Sequence, residues 1–206
     1  NKNKTLAKLH SVDYKKIGLK DYGKPGNYVA RQVSRWSKQY RASETDDIEA
    51  MNNLIEWLPK NIPDDDETSI VHGDYRLDNM ILKNNKVMGI LDWELSTLGH
   101  PIADFSYHCL SWRTQEAFWD QSKLKELGIP NEREYMDMYC ENTGKDLSKN
   151  WEFYMAFNMF KIAGILQGIL GRVRDGTASS KHAEDRGMMV YPLSEAAWNT
   201  IKENLL

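Results

Sequence analysis

The chain has 206 residues, with 27 Lys and Arg against 30 Asp and Glu for a formal net charge of -3, and it is 41% apolar and 11% aromatic. Such a chain builds one large domain or two small ones around a substantial core. The slight negative charge gives no global attraction to nucleic acid or an anionic membrane, so no nucleic-acid partner is expected. Its two cysteines, Cys109 and Cys140, lie far apart without metal-ligand spacing and read as reduced thiols, although sequence alone leaves a disulfide open. The opening NKNKTLAKLH has neither an initiator Met nor an apolar signal core, so the expected compartment is cytoplasmic and the chain reads as a fragment.

From Tyr28 to Tyr40, Val29, Val33, Trp36 and Tyr40 fall at helical spacing while Arg31, Arg35 and Lys38 share another face, which predicts an amphipathic helix with a basic side. A second helix is expected to start near Thr45 as N-cap, with Asp46, Asp47 and Glu49 in its first turn, and to end before Pro59. The acidic run Asp64 to Glu67 reads as a solvated loop. Ser69 to Val71 is a short apolar run. Met80 to Leu82 and Val87 to Leu91, separated by Asn84-Asn85, form a hairpin pattern with charge at both ends. Beyond Pro101 the chain reads as helical, with breaks at Gly128-Ile129-Pro130, Thr143-Gly144 and Asp175 to Gly187.

Trp151 to Leu170, WEFYMAFNMFKIAGILQGIL, approaches membrane-spanning length, but Glu152, Asn158, Lys161 and Gln167 argue for a buried helix, so no membrane span is expected. Gly164, Gly168 and Gly171 recur at helical spacing and suit either close helix packing or a membrane dimer motif; they do not match a nucleotide-binding GxGxxG. His10 and His100 belong to no metal-binding cluster and read as hydrogen-bonded structural histidines.

The densest chemistry lies in SIVHGDYRLDNMIL, residues Ser69 to Leu82, where a His, two Asp, an Arg and an Asn crowd a turn that Gly, Asn or Ser could make alone. Asp74 and Asn79 are five residues apart, and Asp92 follows Asn79 by thirteen, where the second hairpin run ends in GILDWE. A hairpin can bring these oxygen-bearing side chains together. They suit a hard cation such as magnesium, which takes few protein ligands and fills its shell with water and phosphate oxygens. Asp74 would then accept a proton from a hydroxyl.

The order and spacing match the kinase catalytic loop HRDxxxxN with its following DFG, here as HGD, four residues, Asn, and then LDWE. The segment resembles the aminoglycoside phosphotransferase and choline kinase family. LDWELSTLGHPIADFSY, LAKLHSVD and GNYVARQVSRWSKQY extend the resemblance over most of the chain, and are most similar to the phosphotransferase domains associated with acyl-CoA dehydrogenases. The resemblance implies a mainly helical α+β fold, a protein-kinase-like large C-terminal lobe over residues 1-206 with a short β-hairpin at the catalytic loop. It also implies that the small nucleotide-binding lobe is absent, since neither a Gly-rich phosphate loop nor a strand Lys precedes the catalytic segment. By the same resemblance Asp74 is the catalytic base, Asn79 and Asp92 hold Mg2+, and ATP is the phosphoryl donor to a small-molecule hydroxyl. His72 and Asp104 support the loop. Arg76 and Glu94 border the site and could meet substrate, pair with each other or face water. A hydroxyacyl-CoA-like acceptor is one expectation; a non-catalytic binding module retaining the fold is the alternative function. Nothing in the sequence speaks to oligomeric state.

Overall fold

The computed structural model describes residues 1–84, 86–114 and 121–202. Asn85 of the expected Asn84-Asn85 turn, and residues 115–120 of the expected helical segment, lie outside the described residues. In chain order the elements are α1 (Lys2–His10), α2 (Tyr28–Ala42), α3 (Glu49–Trp57), β1 (Ser69–Val71), β2 (Met80–Lys83), β3 (Lys86–Ile90), β4 (Thr97–Gly99) and α4 (Pro101–Cys109). They continue with α5 (Ser111–Thr114), α6 (Gln121–Glu126), α7 (Glu132–Thr143), α8 (Trp151–Arg174), α9 (Ala183–Met188) and α10 (Val190–Lys202). The chain divides into two compact units, Asn1–Tyr28 with Asp65–Trp151, and Val29–Asp64 with Glu152–Leu206.

The first unit carries all four strands. β1 pairs antiparallel with β4, Ile70 opposite Leu98, and β2 pairs antiparallel with β3, Met80 opposite Ile90, with a register irregularity between Ile81 and Leu82. Its core joins Leu6 and Ala7 of α1, Ile70 and Val71 of β1, Leu98 of β4, Phe105 and Cys109 of α4, and Tyr135 and Tyr139 of α7, all buried. Phe105 stacks on Tyr139 at 3.9 Å between ring centroids, an aromatic contact that joins α4 to α7. Asn3 Nδ2 donates to the Tyr135 carbonyl at 2.7 Å and ties α1 to the same helix. α7 starts at a capping box in which Asn131 and Glu134 satisfy each other's backbone N–H groups.

The second unit is helical among its described residues. α2 buries Val29, Val33, Trp36 and Tyr40, the stripe its periodicity predicts. Arg35, on the opposite side, lies over the Trp36 ring at 5.5 Å. Within α8, Gly171 permits close approach, since a Cβ there would stand 3.3 Å from the Ser43 carbonyl oxygen, whereas one on Gly164 would make an ordinary contact at 3.6 Å from the Trp36 ring. This assigns Gly171 to close packing. Among the described residues, α8 is the one helix long and apolar enough to span a membrane, and 72% of its apolar window is buried inside the protein.

Several expectations are corrected. Thr45 does not cap the second helix: α3 begins at Glu49, and its N-cap position is Ile48, with no side-chain cap. Thr45 Oγ1 instead accepts from Gln167 Nε2 at 2.9 Å, and Asp46 is held by Arg174 at 2.6 Å and by the Tyr191 hydroxyl at 2.5 Å. Partners distant in sequence have taken the groups a cap would use. The acidic run is not merely solvated. The Asp65 carbonyl accepts from His100 Nε2 at 2.6 Å, Asp66 Oδ1 accepts from the Asn27 N–H at 2.8 Å, and Glu67 pairs with Lys145. β4 and α9 were not anticipated; the first is three residues long and the second lies within the polar stretch read as a break. Cys109 is buried and Cys140 half-buried, both as free thiols.

Candidate active site

β1 runs directly into His72-Gly73-Asp74, and the turn at Gly73 explains the local sequence. Gly73 has φ 85°, and a Cβ there would lie 2.7 Å from the Leu95 carbonyl oxygen. Any side chain would therefore carry both left-handed strain and a clash with backbone. The two amides of the turn are held by one carboxylate on α4: His72 N–H donates to Asp104 Oδ2 and Gly73 N–H to Asp104 Oδ1, both at 2.8 Å. His10 Nε2 adds a third contact to Oδ2 at 3.1 Å, while its Nδ1 lies 2.6 Å from the Tyr139 hydroxyl. Burial pushes the Asp104 carboxyl upward, but His10 and the two amides outweigh it and hold the group below the usual carboxylate range. Asp104 is thus a carboxylate held by three donors and buried from solvent.

His72 links this turn to the hairpin. Its Nε2–H donates to the Leu91 carbonyl at 2.9 Å, which fixes the tautomer and leaves Nδ1 to accept from the Asp74 N–H at 3.2 Å. Trp93 packs edge-on against the His72 ring at 4.9 Å. Tyr75, fully buried, follows Asp74; its hydroxyl donates to the Lys2 carbonyl at 2.9 Å, and its own carbonyl accepts from His108 Nδ1 at 3.0 Å.

The Asp74 side chain keeps 18% of its exposure. Asn79 Nδ2 donates to both the Asp74 carbonyl and Oδ2 at 2.9 Å, the Tyr107 hydroxyl donates to Oδ1 at 2.5 Å, and Arg76 Nε lies 3.4 Å from Oδ2. Burial and the Asp74 carboxylate push the Tyr107 phenol well up, so it remains a donor. Arg76 also lies 3.7 Å from Asp78, so its partners are two aspartates rather than Glu94, which is exposed in the turn Trp93–Leu95.

Asn79 ends the short turn Leu77–Asn79, and its carbonyl accepts from the Leu91 N–H at 2.9 Å. That bond joins the two ends of the hairpin and brings Asn79 alongside the residue preceding Asp92. Asp92 is exposed with φ 62° and ψ 60°, left-handed geometry that a non-glycine residue adopts at a cost of order 1–3 kcal/mol. Among the described residues, nothing donates to Asn79 Oδ1, and no three His, Cys, Asp or Glu side chains form a metal cluster. An unbonded amide oxygen and an exposed carboxylate on adjoining segments have the donor chemistry of a hard-cation site completed by water and phosphates, and not that of a protein-caged metal.

Residues 3–139 match the phosphotransferase enzyme family. The chain belongs to this family. Acyl-CoA dehydrogenase family member 10 of Mus musculus is 46% identical over 96% of the chain, and family member 11 of Homo sapiens is 42% identical over 93%. The chain spans 19% and 25% of the length of those two proteins. A solved structure from Ralstonia eutropha JMP134, provisionally named an aminoglycoside phosphotransferase, is 52% identical with a TM-score of 0.92, covering 98% of this chain and 64% of that one. Choline kinase from Cryptosporidium parvum Iowa II has a TM-score of 0.63 at 12% identity, covering 99% of this chain and 65% of that one, a likeness of fold alone. The phosphotransferase fold is therefore the mainly helical, kinase-like α+β lobe that the sequence predicts.

Sequence reading passed over two residues around the loop, Tyr107 and His108, and read His10 as the hydrogen-bonded structural histidine it is. Tyr107 lies three positions beyond Asp104 on a helix begun by Pro101, and His108 lies four beyond, so helical spacing alone puts both on the Asp104 face. No local signal connects His10 to Asp104, 94 residues away.

Proposed function

We propose that this phosphotransferase moves the γ-phosphoryl group of ATP to a hydroxyl of a small molecule, with Asp74 as the group that orients the hydroxyl and accepts its proton. The observation that supports this best is the Asp74 carboxylate itself, fixed through Asn79 and Tyr107 yet open to solvent, on a loop whose backbone a second carboxylate already holds. The two carboxylates have opposite surroundings. Asp104 is enclosed by donors, whereas Asp74 retains acceptor capacity for an incoming hydroxyl, the arrangement that positioning catalysis needs.

Asn79 Oδ1 and the Asp92 carboxylate are the proposed magnesium ligands. Bound with ATP, the ion would neutralise charge on the phosphates. The protein's own part is to hold those oxygens at the hairpin end and to keep Asp74 aligned beside them. For the acceptor we favour an anionic, CoA-linked hydroxy compound, supported by the occurrence of this domain in proteins named as acyl-CoA dehydrogenase family members.

The test is Asp74→Asn in the full-length natural protein, assayed for phosphorylation of hydroxyacyl-CoAs, aminoglycosides and choline-like amines. The amide keeps the shape but cannot take the proton, so transfer should fall by roughly a hundredfold to ten-thousandfold at unchanged melting temperature. Activity near wild type would remove Asp74 from this role.

A further inference from the structure

Tyr107 is a hydroxyl placed on the reacting oxygen. An ionised carboxylate has about four lone-pair positions. At Asp74, Asn79 Nδ2 and Arg76 Nε both face Oδ2, at 2.9 and 3.4 Å, and Tyr107 occupies one side of Oδ1 at 2.5 Å. Among the described residues one hydrogen bond thus falls on each oxygen, from Asn79 on Oδ2 and from Tyr107 on Oδ1, while Arg76 adds only an ion pair on the Oδ2 side, so Oδ1 keeps an open acceptor position beside the phenol. The terminal torsion of an aspartate is soft, so donors on Oδ2 alone would let the carboxylate pivot. Tyr107 holds the second oxygen and stops that rotation. Its ring is half-buried on α4, and its raised pKa keeps the proton on the phenol, so it enters as a donor and does not compete for the acceptor's proton.

We propose that Tyr107 is a positioning residue that fills one side of Asp74 Oδ1, so that no water is oriented on that side, and holds the other side in line for the acceptor hydroxyl, so that the phosphoryl group passes to the acceptor and not to water. The inference rests on the assignment of Asp74 as base. Without the phenol oxygen, Oδ1 presents two acceptor positions and a space of about one water molecule. A water donating to Oδ1 can then give its proton to Asp74 as its oxygen bonds to the γ-phosphorus and the bond to the bridging oxygen breaks, releasing ADP and phosphate. The same loss of alignment slows transfer to the intended hydroxyl.

The experiment needs only ATP and magnesium as probes. Hydrolysis of ATP without acceptor is measured in the full-length natural protein for wild type, Tyr107→Phe, Asp74→Asn and the double variant, with melting temperatures alongside. Tyr107→Phe removes one oxygen and leaves the ring in place. It should raise acceptor-independent hydrolysis about tenfold, the equivalent of one neutral hydrogen bond. The KM for ATP should not move, and the gain should vanish in the double variant. A purely structural role for Tyr107 predicts no such dependence on Asp74. Hydrolysis unchanged or lowered in Tyr107→Phe, or a gain that survives in the double variant, overturns the inference while leaving Asp74 as base. In the separate acceptor assay of the proposed function, phosphoryl transfer undiminished in Asp74→Asn instead overturns the assignment beneath it.

Discussion

Lowering the pH should loosen the loop through His108. This histidine is buried on α4, with Nδ1 3.0 Å from the Tyr75 carbonyl and Nε2 2.9 Å from the Tyr135 hydroxyl. A carbonyl can only accept, so Nδ1 carries the proton and the neutral ring accepts from Tyr135 at Nε2. Burial, reinforced by the nearby Lys2 charge, lowers its pKa from 6.5 to about 4, against weaker opposing contributions from the Tyr75 carbonyl and Asp104. Between those two values the unfolded chain binds a proton that the folded chain refuses, so stability falls as pH falls through that window. With pKa values of 6.5 and about 4, the loss between pH 7 and pH 5 is about 2 kcal/mol. Urea unfolding of wild type and His108→Asn at both pH values tests this. The amide can still donate to the Tyr75 carbonyl but does not titrate, so the variant should lack about 2 kcal/mol of the wild-type pH response. His100, whose pKa burial also lowers, is common to both chains and cancels. Equal pH responses, or a His108 ring that titrates near 6.5 by NMR, would refute the reasoning.

Gly73→Ala should destabilise the protein by about 2–4 kcal/mol, combining left-handed strain with overlap against the Leu95 carbonyl oxygen; a urea-derived loss below about 1 kcal/mol would mean that the turn relaxes freely. Asp92→Gly should not destabilise the protein and should stabilise it by up to about 2 kcal/mol, because glycine relieves the left-handed strain while adding about 0.5–1 kcal/mol of unfolded-chain entropy at an exposed position. In the full-length protein the same change should weaken magnesium and nucleotide binding together, and calorimetric titrations with unaltered magnesium dependence would return Asp92 to a structural role.

What the sequence shows clearly is what repeats over short distances. The stripe Val29, Val33, Trp36 and Tyr40 belongs to one helix and is buried as a stripe. Asp74 and Asn79 share one loop, and the hairpin that returns the chain beside Asn79 is marked by apolar runs on both strands, so the structure brings these residues to one place. Thr45 shows the limit of such reasoning. It has the residue type and position of a cap, but Gln167, 122 residues away, donates to its hydroxyl, and no local pattern encodes that contact. β4 was missed for a related reason: Thr97-Leu98-Gly99 is too short to show alternation, and it is a strand because Ile70 and its neighbours supply the partner.

The loop also shows how one helix can control several consecutive residues. Asp104, Tyr107 and His108 occupy positions i, i+3 and i+4 of α4, the spacing that puts side chains on one face. They act in order along the loop: Asp104 takes the N–H groups of His72 and Gly73, Tyr107 takes the side chain of Asp74, and His108 takes the carbonyl of Tyr75. Backbone before Asp74, the Asp74 side chain and backbone after it are therefore set by one rigid element. Such an arrangement depends on helix register, since a rotation of one residue would turn the face by about 100° and release all three contacts together. Pro101 stands at the first turn of α4, where its fixed φ suits a helix start and its missing N–H costs nothing. Starting the helix there fixes which residues face the loop, and with them the orientation of Asp74.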